Sequence, residues 1–258
     1  DFAPCFSPSC SKSYIHPIPR LRTDTMVAFL NKEPWFPDPR TYNRYLKDGL
    51  IAVGGDLSVR RLELAYRMGI FPWTDNPLTW WCPEQRAIFD LDQIHIGRSL
   101  SRTLRKNNFT VTFDQAFDRV IQACSQVPRP GGWLTSHFVR AYQQLHQNNM
   151  AHSVECWLGN DLVGGVYGVG VGSAFAGESM FYQVANASKV ALTHLLWGLK
   201  ASGYHLVDIQ MVTPVTSSMG AFYIKRDDYL DRLEEALRRT CTFPTSHSSY
   251  ERDGRSIS

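Results

Sequence analysis

What the 258-residue chain lacks sets its first limits. It has no run of 18 or more apolar residues, so no spanning helix is indicated, and its first residues show no convincing apolar signal region. Charge of one sign is scarce. Lys plus Arg number 27 against 24 Asp plus Glu, so global charge does not mark a nucleic-acid binder and local clustering would have to. The six cysteines form no C-x-x-C pair and no metal-ligand spacing. Cys82, Cys124, Cys156 and Cys241 are spread as reduced cytosolic thiols are, while Cys5 and Cys10 sit in a Ser/Pro-rich head. G-x-S-x-G, Walker and H-E-x-x-H signatures are absent, which leaves no recognisable elbow nucleophile, phosphate loop or zinc helix. Among the eight histidines, His146 and His152 have no fixed partner in sequence and read as structural.

What is present is a folded chain. With 43% hydrophobic and 12% aromatic residues, it can build one large core or two modest domains. Residues 1–25 read as a loose tail, with Met26 an alternative start. Ser58 caps a helix over "VRRLELAYRMG", which Gly69 stops. The patterns then predict a short helix over 98–106, a strand over 109–113, and helices over 114–126 and 136–146. Three segments follow as a meander, at 151–158, 162–170 and 173–181, with a turn at Gly159-Asn160-Asp161. Asn186 or Ser188 opens a helix with an Ala191, Leu195 and Leu199 stripe, Gly203 ends it, and a strand and a last amphipathic helix close the pattern. Strands, a crossing helix and a returning strand make an α+β protein with a mixed sheet.

The returning strand, "YHLVDIQM", carries Asp208 and Gln210 two positions apart in an apolar run. Alternate residues of a strand share a face, and burying such groups without partners costs about 1–3 kcal/mol each. Glu178, in "GESMF", adds a third strong hydrogen-bonding side chain on a predicted strand. The three could form a structural network or a site. With no nucleophile or metal signature, the chemistry they fit is direct transfer between two bound substrates, in which carboxylates hold an ammonium and receive its proton. A second cluster is electrostatic. Arg98, Arg102, Arg105 and Lys106 fall at i, i+4, i+7 and i+8 with no acid among them, either a solvated helix face or a phosphate-contacting stripe.

The ordered blocks "GGDLS", "AYRMGIFPW", "WWCPEQRA", "HSVECW", "LVGGVYGV", "GESMF", "NASKVAL", "DIQ" and "SMGA" resemble those of leucyl/phenylalanyl-tRNA–protein transferases from about residue 34 to about 235. The resemblance implies a cytoplasmic monomer, acting without cofactor or metal, that moves leucine, phenylalanine or methionine from aminoacyl-tRNA to proteins beginning with Arg or Lys, in the N-end degradation pathway. It implies a small N-terminal α/β domain over 34–95 and a GNAT-like acyltransferase domain over 96–240 (or from nearer 110), while the composition of the ends, which resemble nothing in the family, predicts a disordered tail over 1–33 and a flexible tail over 241–258. The family's catalytic aspartate and glutamine match Asp208 and Gln210, and its acceptor-binding glutamate matches Glu178. Because a neutral amide is a poor base, the two carboxylates are expected to orient the amine, and Asp208→Ala to stop transfer without unfolding the domain.

The same resemblance places the aminoacyl pocket on Val166, Phe175, Met180, Leu192, Leu195 and Val207, with Val166 standing where relatives often have methionine. It places Tyr66, Trp73, Trp133 and Tyr142 near the tRNA's 3′ adenosine, and turns Arg98, Arg102, Arg105 and Lys106 into acceptor-stem contacts. An acetyltransferase using coenzyme A is disfavoured, since "VANASKVAL" lacks the glycine turn that would cradle its phosphates.

Overall fold

A computed structural model describes residues 27–42, 49–128 and 132–245. The loose head expected over 1–25 and most of the closing tail lie outside the described residues, as do residues 129–131. Among the described residues no helix is long and apolar enough to cross a membrane.

The first part of the chain builds a four-stranded sheet. Its elements are β1 (Ala28–Leu30), α1 (Pro39–Tyr42), β2 (Leu50–Gly54), α2 (Val59–Arg67), β3 (Phe71–Asp75) and β4 (Leu78–Trp81). The strand order is β1-β2-β4-β3, with β1 and β2 parallel and the other pairs antiparallel. Ser58 caps α2 as its sequence predicts, accepting from Arg61 N. The segment after α2, with Trp73, Trp80 and Trp81 close together, is the β3–β4 hairpin. Trp80 is fully buried in it, edge-on to Phe36 at 4.9 Å, with its Nε1 donating to Gly54 O at 2.9 Å.

The rest of the chain builds a seven-stranded sheet from β5 (Gln85–Phe89), α3 (Arg98–Lys106), β6 (Thr110–Phe113), α4 (Phe117–Gln126), α5 (Ser136–Gln147), β7 (Ala151–Leu158), β8 (Asp161–Val171) and β9 (Ala174–Tyr182). It is completed by α6 (Ala187–Ala201), β10 (Leu206–Gln210), α7 (Pro214–Ser218), β11 (Phe222–Lys225) and α8 (Arg226–Leu237). The order is β11-β5-β10-β9-β8-β7-β6. The meander and the helices lie where the periodicity predicts them, and the protein is α+β with a mixed sheet. The one parallel pair of this sheet is β9–β10, joined through α6. β5 leaves the sequence neighbourhood of the small sheet and enters the large one between β10 and β11.

The large sheet is covered on both faces. Ala174, Ala176, Phe181 and Leu206 face a core shared with α2, α4, α5, α8 and the small sheet. Phe175, Met180, Val207 and Ile209 face a second core filled by α6, in which Ala191, Leu195 and Leu199 are buried as their stripe predicts. The site lies on the first face, where the two sheets meet.

Candidate functional site

All five residues of β10 are buried, Asp208 and Gln210 included. Two irregularities make room for them. Parallel pairing of β10 with β9 runs from Leu206↔Ala174 to Asp208↔Ala176. On its other side, β10 pairs Asp208 with Ile88 and then Gln210 with Ala87, so Ile209 is an extra residue, and Gln210 takes φ 55. β9 carries its own extra residue: Tyr167 pairs Ser179 and Gly168 pairs Gly177, which leaves Glu178 as the bulge. Bulges re-aim side chains and are common beside active sites. Gly168 permits the second one, since a Cβ there would lie 2.2 Å from Ala176 O.

Asp208 is locked. Arg86 holds it in a two-pronged ion pair, Nε to Oδ1 at 2.8 Å and a terminal nitrogen to Oδ2 at 2.5 Å. Tyr229 Oη donates to Oδ2 at 3.1 Å and the Gln210 backbone N–H to Oδ1 at 2.9 Å. Arg86 also donates to Gly69 O at 2.9 Å and lies over the rings of Phe71 (4.7 Å) and Tyr229 (4.4 Å). Burial opposes its charge, but the adjacent Asp208 carboxylate more than offsets this and holds its pKa above the ordinary arginine value.

Glu178 is poised differently. Its Oε1 accepts from Gln210 Nε2 at 3.1 Å, and its Oε2 accepts from Tyr142 Oη at 3.0 Å. Tyr142 Oη lies 2.7 Å from Tyr66 Oη. Burial pushes the Glu178 carboxyl up to about 7, against the lowering effect of the tyrosine hydroxyls. Burial likewise raises both tyrosines well above their ordinary value. The pair of carboxyls is thus split in role: one fully engaged by a cation, one about half protonated at pH 7.

Asp208, Gln210 and Glu178, singled out from sequence, therefore meet in one network. Tyr66 and Tyr142 join it through their hydroxyls and are buried. Trp73 and Trp133 are half-buried, each one ring away: Trp73 packs on Phe71 at 5.9 Å, and Trp133 stands edge-on to Phe138 at 5.8 Å, which stacks on Tyr142 at 6.3 Å. A hydrogen bond from Thr135 Oγ1 to Asp75 Oδ2 joins the segments that carry them. Val166, Phe175, Met180, Leu192, Leu195 and Val207 lie together on the opposite face of the sheet, in the core against α6. Arg98, Arg102, Arg105 and Lys106 are exposed on α3. His146 and His152 hold structural bonds, to Ala151 O at 2.8 Å and to Asp114 at 2.7 Å.

Sequence reasoning missed Arg86 and Tyr229. The signal for Arg86 was of the same kind as for Asp208, a charge inside an apolar strand, "QRAIF". Tyr229 gives no such signal on an amphipathic helix.

Comparison with known proteins gives a consistent result. Residues 55–84 match the family described as "Leucyl/phenylalanyl-tRNA protein transferase N-terminal domain", and residues 88–234 match "Leucyl/phenylalanyl-tRNA protein transferase". A leucyl/phenylalanyl-tRNA–protein transferase of Syntrophotalea carbinolica is 49% identical over 201 residues, covering 76% of this chain and 87% of that protein. Proteins of the same description from Anaeromyxobacter dehalogenans and Pectobacterium carotovorum are 46% and 47% identical, over 81% and 78% of this chain and 91% and 86% of theirs.

Proposed function

The chain belongs to the leucyl/phenylalanyl-tRNA protein transferase family and is an aminoacyltransferase from tRNA to protein; on that premise we propose that it moves leucine, phenylalanine or methionine onto proteins that begin with Arg or Lys. The acceptor's α-amine attacks the aminoacyl ester directly, with no covalent enzyme intermediate. A C–N bond forms, the ester C–O bond breaks, and the proton lost by the amine ends on the released ribose hydroxyl. The reading extends to a cytoplasmic monomer without a dissociable cofactor, feeding the N-end degradation pathway.

The observation that carries this reading is the unequal state of the two carboxyls. Asp208 already accepts from Arg86, Tyr229 and the Gln210 backbone, so it serves to fix the bulge and to orient. Glu178, with its raised pKa and its bond to Gln210, is the carboxyl suited to hold the acceptor ammonium and take up a proton near pH 7. Gln210 then aims the amine rather than acting as the base. On the other face, the six apolar residues against α6 supply a donor side-chain pocket, worth about 0.8 kcal/mol per buried methylene. Trp73 and Trp133 are assigned to the 3′ adenosine and the α3 cations to the acceptor stem, while Tyr66 and Tyr142 act through their hydroxyls on Glu178.

The parallel β9–β10 pair, joined through α6 and unpaired beyond Ala176 and Asp208, supports a GNAT-like domain. We draw the boundary of the small domain between the two sheets, after Trp81 and before Gln85.

The test is transfer of radiolabelled leucine from charged tRNA to peptides that differ only at residue one, Arg against Ala. Label on the Arg peptide alone is expected. Equal labelling of both would overturn the acceptor rule, and labelling of neither would overturn the reaction.

A further inference from the structure

Tyr182 is an aromatic side chain that the site leaves unused. It is 58% exposed, whereas Met180, two residues earlier on β9, is 1% exposed. Its direction follows from the sheet register. Tyr182 stands opposite Gly164 on β8, and directly opposed residues project from the same face. A Cβ at Gly164 would lie 2.6 Å from the Ala187 side chain and 2.9 Å from Ser188 N, so this is the face on which α6 begins. There Asn186 Nδ2 donates to Thr103 Oγ1 at 3.0 Å, tying the start of α6 to the basic helix α3.

Tyr182 therefore lies on a path between two parts of the molecule. Glu178 is four residues back along β9, about 13 Å at strand spacing. In the other direction the chain reaches Asn186, whose bond to Thr103 brings α3 and its exposed cations alongside. Beyond Ala176, β9 has no pairing with β10, and Tyr182 leaves this stretch on the face of the apolar residues assigned to the donor side chain.

We propose that Tyr182 is a stacking platform for the unpaired nucleotides of the donor tRNA, between its terminal adenosine and its acceptor stem; this rests on the donor assignment made above. The reacting ester sits at the end of a short single strand, and the duplex behind it needs cationic contacts to its phosphates. If the ester is at Glu178 and the duplex at α3, the connecting bases pass Tyr182. Unpaired bases stack on exposed rings with little regard to their identity, because every base offers a π face. Tyr182 positions the donor strand and takes no part in bond making.

The test compares two donors, leucyl-tRNA and leucyl-adenosine, the second lacking every nucleotide but the last. Tyr182→Ala should lower kcat/KM for leucyl-tRNA by about 5- to 150-fold, mainly through KM, and leave leucyl-adenosine unchanged. Tyr182→Phe should retain the wild-type value. An unchanged kcat/KM with leucyl-tRNA overturns the proposal, and so does an equal loss with both donors, which would place the damage in the site or the fold. Binding of uncharged tRNA supplies a readout independent of transfer. Tyr182→Ala should weaken it by a similar factor, but bind a tRNA trimmed of its last three nucleotides as the wild type does. Wild-type protein that shows this binding difference yet transfers no leucine would overturn the proposed function and leave the stacking assignment standing.

Discussion

At the scale of single residues, the two buried carboxyls answer to pH and mutation in opposite ways. Glu178 has a folded-state pKa of about 7, above the ordinary glutamate value. Its neutral form is the one the fold favours, so its contribution to stability is complete below about pH 4.5 and is lost as pH rises through 7, about 3 kcal/mol in all. Glu178→Gln removes that dependence. Its melting temperature relative to wild type should climb between pH 5 and pH 7 and level off above pH 8, while transfer falls sharply. A difference independent of pH would show that Glu178 does not titrate there. Asp208 behaves as half of a buried ion pair. The sequence suggests that removing it stops transfer and spares the fold, but its bonds to Arg86 change that expectation. Asp208→Asn leaves a buried guanidinium without its counter-charge and should cost about 3–5 kcal/mol in urea unfolding. Loss of activity with unchanged stability would mean that the pair contributes nothing to the fold.

At the scale of elements, the regular pieces were legible and the irregular ones were not. The β7–β9 meander and the α3, α5 and α6 helices follow from periodicity and turn residues, because each is decided locally. A bulge is different. The extra residues Glu178 and Ile209 sit in runs whose composition is that of an ordinary buried strand, and only the register of a distant neighbour reveals them. The common face of Asp208 and Gln210 follows from strand alternation, yet the link between them is the turned backbone of Gln210, which no alternation rule supplies. Arg86 stayed hidden for a related reason, since its partner is 122 positions away. The stripe on α3 was legible as a pattern, and its purpose is open to measurement. Reversing Arg102 and Arg105 to Glu should weaken aminoacyl-tRNA binding and flatten log K against log salt by about 1.5 to 2. An unchanged slope would return the stripe to an ordinary solvated face.

At the scale of the whole molecule, the site belongs to neither sheet alone. Tyr66 and Gly69 come from the small-sheet part, Tyr142 from α5, Glu178 from β9, Asp208 from β10 and Tyr229 from α8. The position of β5 carries a further consequence, for the order of events on the ribosome. Its two neighbours in the sheet, β10 and β11, begin 117 and 133 positions after β5 ends. At about 5–20 residues per second, β5 waits several seconds or longer for them, with both edges open to mispairing. Arg86 meets its carboxylate only when Asp208, 122 positions later, has emerged. A growing chain surrounded by charged tRNA thus stays inert, and competence arrives with β10 and β11.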